Sequence, residues 1–276
     1  MAALKRSGEL FLKPDGGSQG RGALRVSAEP GGSVAVRGRS PRNEPYARRF
    51  ARADDFAAWL MAAIGSRPYL IQPYLPLVDR EGNAYDIRCL MQKDGSGRWQ
   101  TTGLAARRGR SGSVTANLHG GGAAEPAAAM LAREFGAAEA GRIEQTMRRL
   151  AARIPPLLEE QRGRLCELGI DFGVASSGRV WLIEVNSKPG RAAFGRIGDP
   201  SLRQAAVLNP LRYAAALLRP AAGRPQRISA SVKDKRLTPS FATSAFTAAE
   251  SARVQARLIL SDVARKAPVR SLFHDE

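Results

Sequence analysis

Cysteine is almost absent from this chain of 276 residues: Cys89 and Cys166 are too few for a disulfide framework or a thiolate zinc site. Cys89 lies inside the apolar run IRCLM and reads as a buried free thiol in a reducing compartment. Long apolar runs are missing too. None approaches the roughly 20 residues that span a bilayer, and the start, MAALKRSGELFLK, lacks the apolar core of a signal peptide. The expectation is a cytoplasmic protein with no membrane span. Aromatic residues make up only 6% of the chain, thin for a protein that stacks on bases. Acidic residues are outnumbered by basic ones, 25 to 43, for a net charge of +18. Such a surplus points to polyanionic partners, from nucleic acid to phosphorylated ligands. A genome biased toward Arg and Ala codons accounts for it equally well.

What is present suffices for a sizeable core: 43% of the residues are hydrophobic. Leu10–Leu12, a Gly-rich loop from Gly16 to Gly22 and Ala23–Val26 read as strand, loop, strand, and SVAVRG adds a further strand after a turn at 30–32. RADDFAAWLMAAIG reads as a helix with Asp54 or Asp55 as its N-cap, stopping at Gly65. RPYLIQPYLPL is an extended strand broken by proline. Two extended runs then flank Asp94–Gly97, a hairpin signal. From Pro126 to about Glu160 the apolar spacing is helical, with Pro155 and Pro156 expected to kink or divide it. A second hairpin, IDFGVASSGRVWLIEVN, and a last helix over Ser201–Leu218 follow. Residues 220–276 are basic, polar and largely without period and read as a disordered tail, with one isolated helix over 245–263. No internal repeat is found.

The second hairpin carries the chemistry. With Ser177–Gly178 as a two-residue turn, counting outward sets Asp171 opposite Glu184, and alternation puts Asn186 on the same face as Glu184. Two carboxylates face to face repel unless a cation lies between them. Hard oxygen donors with neither His nor Cys select Mg²⁺ or Mn²⁺ over zinc. The bland alternative is that all three side chains point to solvent. The loop KPDGGSQGRG can bring backbone N–H groups to phosphate oxygens, with Lys13 as a point charge, yet it matches neither a P-loop nor a Rossmann fingerprint. Arg88, Arg107 and Arg108 lie on expected strands. They make sense if a triphosphate lies between them and the carboxylates, or as ordinary surface arginines.

In order, the Lys-Pro-Gly-rich loop, YLIQPYL, YDIRCLMQ, GLAARRG, SVTANLHGGG, GIDFGV and WLIEVNSKPGR resemble an ATP-grasp protein, most closely the YheC/YheD endospore coat-associated family of spore-forming bacteria. The likeness runs from about Glu9 to Leu218. It implies an α+β fold of two lobes whose antiparallel sheets clamp ATP. A truncated N-terminal lobe would cover residues 1–75 and a C-terminal lobe 76–219, with the strands that ordinarily complete the nucleotide lobe lacking at the start. By resemblance, Lys13 binds phosphates and Gly17, Ser18 and Gly20 belong to the covering loop. Gln72 lies on the hinge strand that meets adenine. Arg88 and Arg107 or Arg108 neutralise phosphate charge, and Asn117 contacts the phosphate or intermediate. Asp171, Glu184 and Asn186 match the metal positions. The implied cofactors are ATP and Mg²⁺ or Mn²⁺. Three functions follow: a carboxylate–amine ligase acting through an acylphosphate, a non-catalytic module partnered with spore coat proteins, and, ranked last, a nucleic-acid binder. Localisation would be cytoplasmic, at the forespore or coat.

Overall fold

The computed structural model of the chain describes residues 2–16, 20–116, 118 and 121–219. Gly17, Ser18, Asn117 and everything from 220 to 276, with the tail and the helix expected at 245–263, lie outside the described residues.

The first half of the chain forms helix α1 (Ala2–Ser7), strands β1 (Glu9–Pro14), β2 (Leu24–Ala28), β3 (Val34–Arg39) and β4 (Pro45–Phe50), helix α2 (Ala53–Ile64) and strand β5 (Tyr69–Pro73). The strands make one antiparallel sheet in the order β4-β3-β2-β1-β5. Alternation sends Leu10, Leu12, Leu24, Val26, Val34 and Val36 to one face, where Leu4 of α1 and Phe56 of α2 close a core. Each such side chain contributes about 1.5–3 kcal/mol on burial. The other face carries Glu9, Phe11 and Lys13 of β1 and stays open. Strand β4 carries no strong strand pattern in the sequence. Trp59 of α2 holds it in place, with its ring 5.2 Å from Phe50 and 6.2 Å from Tyr46. Neither Asp54 nor Asp55 caps α2. The N-cap is Arg52, without a side-chain cap bond, and the two carboxylates stand in the first turn, where the helix dipole favours them.

The second half forms β6 (Tyr85–Lys93), β7 (Trp99–Arg108), β8 (Ala123–Pro126), α3 (Ala127–Phe135), α4 (Ala137–Arg162), β9 (Glu167–Val174), β10 (Val180–Asn186), α5 (Ala192–Arg196) and α6 (Pro200–Leu218). Its antiparallel sheet runs β10-β9-β6-β7-β8. One face carries the main core: Ile87, Cys89, Met91, Leu168, Ile170 and Phe172 pack beneath α3 and α4 through Met130, Leu131, Ile143 and Met147. The opposite face is divided. At one end Leu90 and Ala105 meet Phe194 of α5 and Ala206 of α6, while the other end, from Asp86 to Glu184, carries charge.

Two breaks fall elsewhere than the sequence pattern suggests. The helical stretch divides at Gly136, whose φ of 81° a side chain would resist, and not at the prolines. Helix α4 continues through Pro155 and Pro156 because Ile154 and Leu158, on either side, pack on the core and hold it across the lost bonds. The turn before β10 has three residues, not two: Ala175 N bonds to Arg179 O and Val174 pairs with Val180, with Gly178 at φ 81°. This shifts the register by one residue. An irregularity between Leu182 and Glu184 shifts it back, so that Glu184 does pair with Asp171.

Candidate functional site

Four neighbouring strands present one charged row. Asp86 and Arg88 are two residues apart on β6 and share a face. Arg107 of β7 lies directly opposite Asp86, and Asp171 of β9 directly opposite Arg88. Glu184 of β10 pairs with Asp171, and Asn186 follows on the same face. Asp171, only 2% exposed, is the centre. Arg88 grips it with Nε and, at 2.8 Å, Nη2, and Arg107 Nη2 reaches Oδ2 at 2.9 Å. Arg107 also forks onto Asp86, with bonds of 2.6 and 2.7 Å. Asn186 donates Nδ2 to Glu184 Oε1 at 3.0 Å and stands 3.5 Å from Asp171 Oδ2.

Gly169 makes room for this arrangement. The Arg88 guanidinium and Pro189 lie over it, and a Cβ there would come within 3.0 Å of Arg88 Nη1 and 2.8 Å of Pro189 Cβ. Pro189 belongs to the loop that follows β10, so the segment NSKPG folds back over β9 and closes one side of the row.

Burial alone would push the Asp171 carboxyl up, but Arg107 and Arg88 outweigh it and hold the group below the usual carboxylate range. Asp86, with burial dominant over the opposing Arg107, is pushed up to about 6. Enclosure in the cleft and the Asp171 charge raise Glu184, opposed by Asn186 and by Lys13 across the cleft. Water still reaches the Glu184 side chain, so the neighbouring charge is the firmer of the two causes.

The structure thus brings together Arg88, Arg107, Asp171, Glu184 and Asn186, with Lys13 of the first sheet acting on Glu184. Gly20, at the end of the Gly-rich loop, lies against Thr115 of the second lobe, where a Cβ would approach Thr115 Oγ1 to 2.9 Å. Thr115 Oγ1 is buried and has no hydrogen-bond partner among the described residues. Gln72, on β5, pairs with Phe11 of β1 in the first sheet. Arg108 is not part of the row. One residue beyond Arg107, it faces the other side of the sheet and contacts Glu81 at 3.1 Å and Asp79 at 3.5 Å. Sequence reasoning passed over Asp86 and Thr115. The spacing Asp-x-Arg in YDIRC was the available signal for Asp86, since it puts both groups on one strand face. Thr115 gave none, because its role depends on which loop it meets.

The model of the YheC/D-like ATP-grasp family matches residues 1–217. The chain belongs to that family. Endospore coat-associated protein YheC of Bacillus subtilis (strain 168) is 30% identical over 214 residues, 76% of this chain and 56% of that protein. YheD of the same organism is 28% identical over 189 residues, 67% of this chain and 40% of that protein. The chain therefore spans about half the length of the curated relatives it matches. The crystal structure of the D-cycloserine synthetase DcsG matches with TM-score 0.45 at 17% identity, over 76% of this chain and 58% of that one. The fold is accordingly an α+β ATP-grasp architecture of two antiparallel lobes.

The family implies a nucleotide and a divalent metal, and the donor set fits a hard cation. Asp171 and Glu184 are cross-strand partners, and Asn186 Nδ2 lies 3.5 Å from Asp171 Oδ2 and 3.0 Å from Glu184 Oε1, a juxtaposition of like charges that calls for a proton or a cation. The Asn186 amide, which turns Nδ2 to both, offers Oδ1 on flipping. Among the described residues no group of three or more His, Cys, Asp or Glu side chains could hold a metal, so the set is two carboxylates and an amide.

Proposed function

We propose that the chain binds ATP with Mg²⁺ or Mn²⁺ in the cleft between its sheets and acts as a carboxylate–amine ligase. The observation that carries this reading is the convergence of Asp171, Glu184 and Asn186 beside Arg88 and Arg107. Asp171, Glu184 and Asn186 would hold the metal, which when bound would supply a positive charge that offsets the charge on the phosphates. Lys13 binds the same phosphates from the first lobe. Arg88 and Arg107 neutralise the charge that develops on the transferred phosphoryl group. Gly17, Ser18 and Gly20 cover the nucleotide and exclude water, Asn117 contacts the transferred group, and Gln72 belongs to the strand that receives the adenine. The substrate carboxylate attacks the γ-phosphorus to give an acylphosphate and ADP, and an amine then displaces phosphate. Positioning supplies most of the acceleration in such a transfer.

A second reading, a non-catalytic ATP-grasp module acting in spore coat assembly, draws support from Asp171, whose carboxylate is already neutralised by two guanidinium groups. A cytoplasmic or forespore location goes with either reading. ADP release separates the two. With mixtures of carboxylates and amines, the ligase sustains ADP release over many turnovers only when both are present, and Glu184→Gln lowers that rate by about 100-fold or more. Nucleotide binding with no ADP from any mixture leaves the module.

A further inference from the structure

Arg107 has two partners of unequal kind. Its fork of Nε and Nη2 closes on both oxygens of Asp86, opposite it in register, at 2.6 and 2.7 Å, while Asp171 receives only a single contact of 2.9 Å, from Nη2 to Oδ2. Asp171 Oδ2 also takes Nη2 of Arg88. A cation cannot use Oδ2 while two guanidinium groups cover it. Arg88 has no second carboxylate among its contacts in the described residues, whereas Arg107 does. Arg107 is the group that can withdraw without leaving a buried charge unpaired.

We propose that Asp86 is a positioning residue: it retains Arg107 when the metal takes Asp171 Oδ2. This rests on the metal site proposed above and adds a residue that acts on it only through Arg107. Without Asp86, Arg107 has Asp171 as its sole carboxylate among the described residues, and metal entry then strands a guanidinium that is mostly buried. Outer partners that orient ligating groups carry about 10- to 100-fold of metal affinity.

The test is Mn²⁺ binding to the full chain without nucleotide, read by electron paramagnetic resonance of the free ion. Asp86→Asn, nearly isosteric, weakens binding by about tenfold or more, and Asp86→Glu, which keeps a carboxylate for Arg107, restores most of it. Arg107→Gln removes the competitor and binds Mn²⁺ at least as tightly as the wild type. In that background Asp86→Asn has no further effect. An equal loss from Asp86→Asn with and without Arg107 would make Asp86 a plain negative charge near the metal and overturn the proposal. So would unchanged affinity in Asp86→Asn, or a tenfold loss in Arg107→Gln, which remains informative if Asp86→Asn does not fold. No Mn²⁺ binding by the wild type overturns the metal site itself, and this inference with it.

Discussion

At the scale of single residues, the row from Arg107 to Asn186 depends on one position with no side chain. Gly169 lets Arg88 lie flat across β9 and lets Pro189 close on the same spot. Gly169→Ala puts a Cβ into both, and Pro189, tied to the backbone ring, cannot swing aside as a flexible chain would. Overpacking of this kind costs about 1–3 kcal/mol, and the shift falls on the Arg88–Asp171 pair. Chemical denaturation of Gly169→Ala should show that loss, and nucleotide affinity should fall with it. An unchanged midpoint would mean that the loop after β10 yields easily. The carboxylate pair was readable in the sequence because Asp171 and Glu184 lie on a short hairpin, where counting from the turn sets cross-strand partners. The assumed two-residue turn was off by one and the irregularity before Glu184 compensated for it, so the pair was reached through two cancelling departures. Asp86 could have been read from its spacing to Arg88. The place of Arg107 between two carboxylates could not, because it depends on three strands meeting.

At the scale of elements, the end of the second sheet's central strand is fastened to the helices by a cation. Lys93, at the end of β6, bonds to Glu159 of α4 at 2.6 Å and lies 5.1 and 5.2 Å from the rings of Tyr213 on α6 and Trp99 on β7. Glu159 also accepts from Trp99 Nε1 and Leu165 N, each at 2.8 Å. Burial alone would raise Glu159, but these bonds outweigh it and hold its carboxyl below the ordinary value. A lowered carboxylate contributes stability that is full above the unfolded value, about 4.3, and is lost as pH falls through the folded one. Glu159→Gln should cost about 3 kcal/mol at neutral pH by leaving Lys93 without its counter-charge. The gap between variant and wild type should narrow as urea unfolding is repeated from about pH 6 toward pH 3. A gap independent of pH would assign the stability to packing. Strand pairs and helices with strong periodicity were legible at this scale. Helix ends were not: α2 begins without a side-chain cap, and α4 outlasts two prolines because the core beneath it holds the flanking turns.

At the scale of the whole molecule, the two antiparallel sheets differ in kind. The first contributes Lys13 and the ends of the Gly-rich loop, and the second a nearly self-neutralised row of charge. Several arginines pair within the fold, as in Arg25–Glu9, Arg88–Asp171, Arg107–Asp86 and Arg191–Glu167. Each pair uses one charge of either sign, so the net charge of +18 is left over for the surface and for anionic partners. The order of motifs made the family legible before any coordinates, whereas the meeting of Gly20 with Thr115 across the lobes required them. The central claim is that the paired carboxylates and the amide hold a divalent ion that joins ATP to the second lobe. Calorimetric titration of ATP into the full chain with and without Mg²⁺ tests this most directly. Binding should require Mg²⁺, and Glu184→Gln should weaken that requirement. Equal ATP affinity with and without the metal would contradict it.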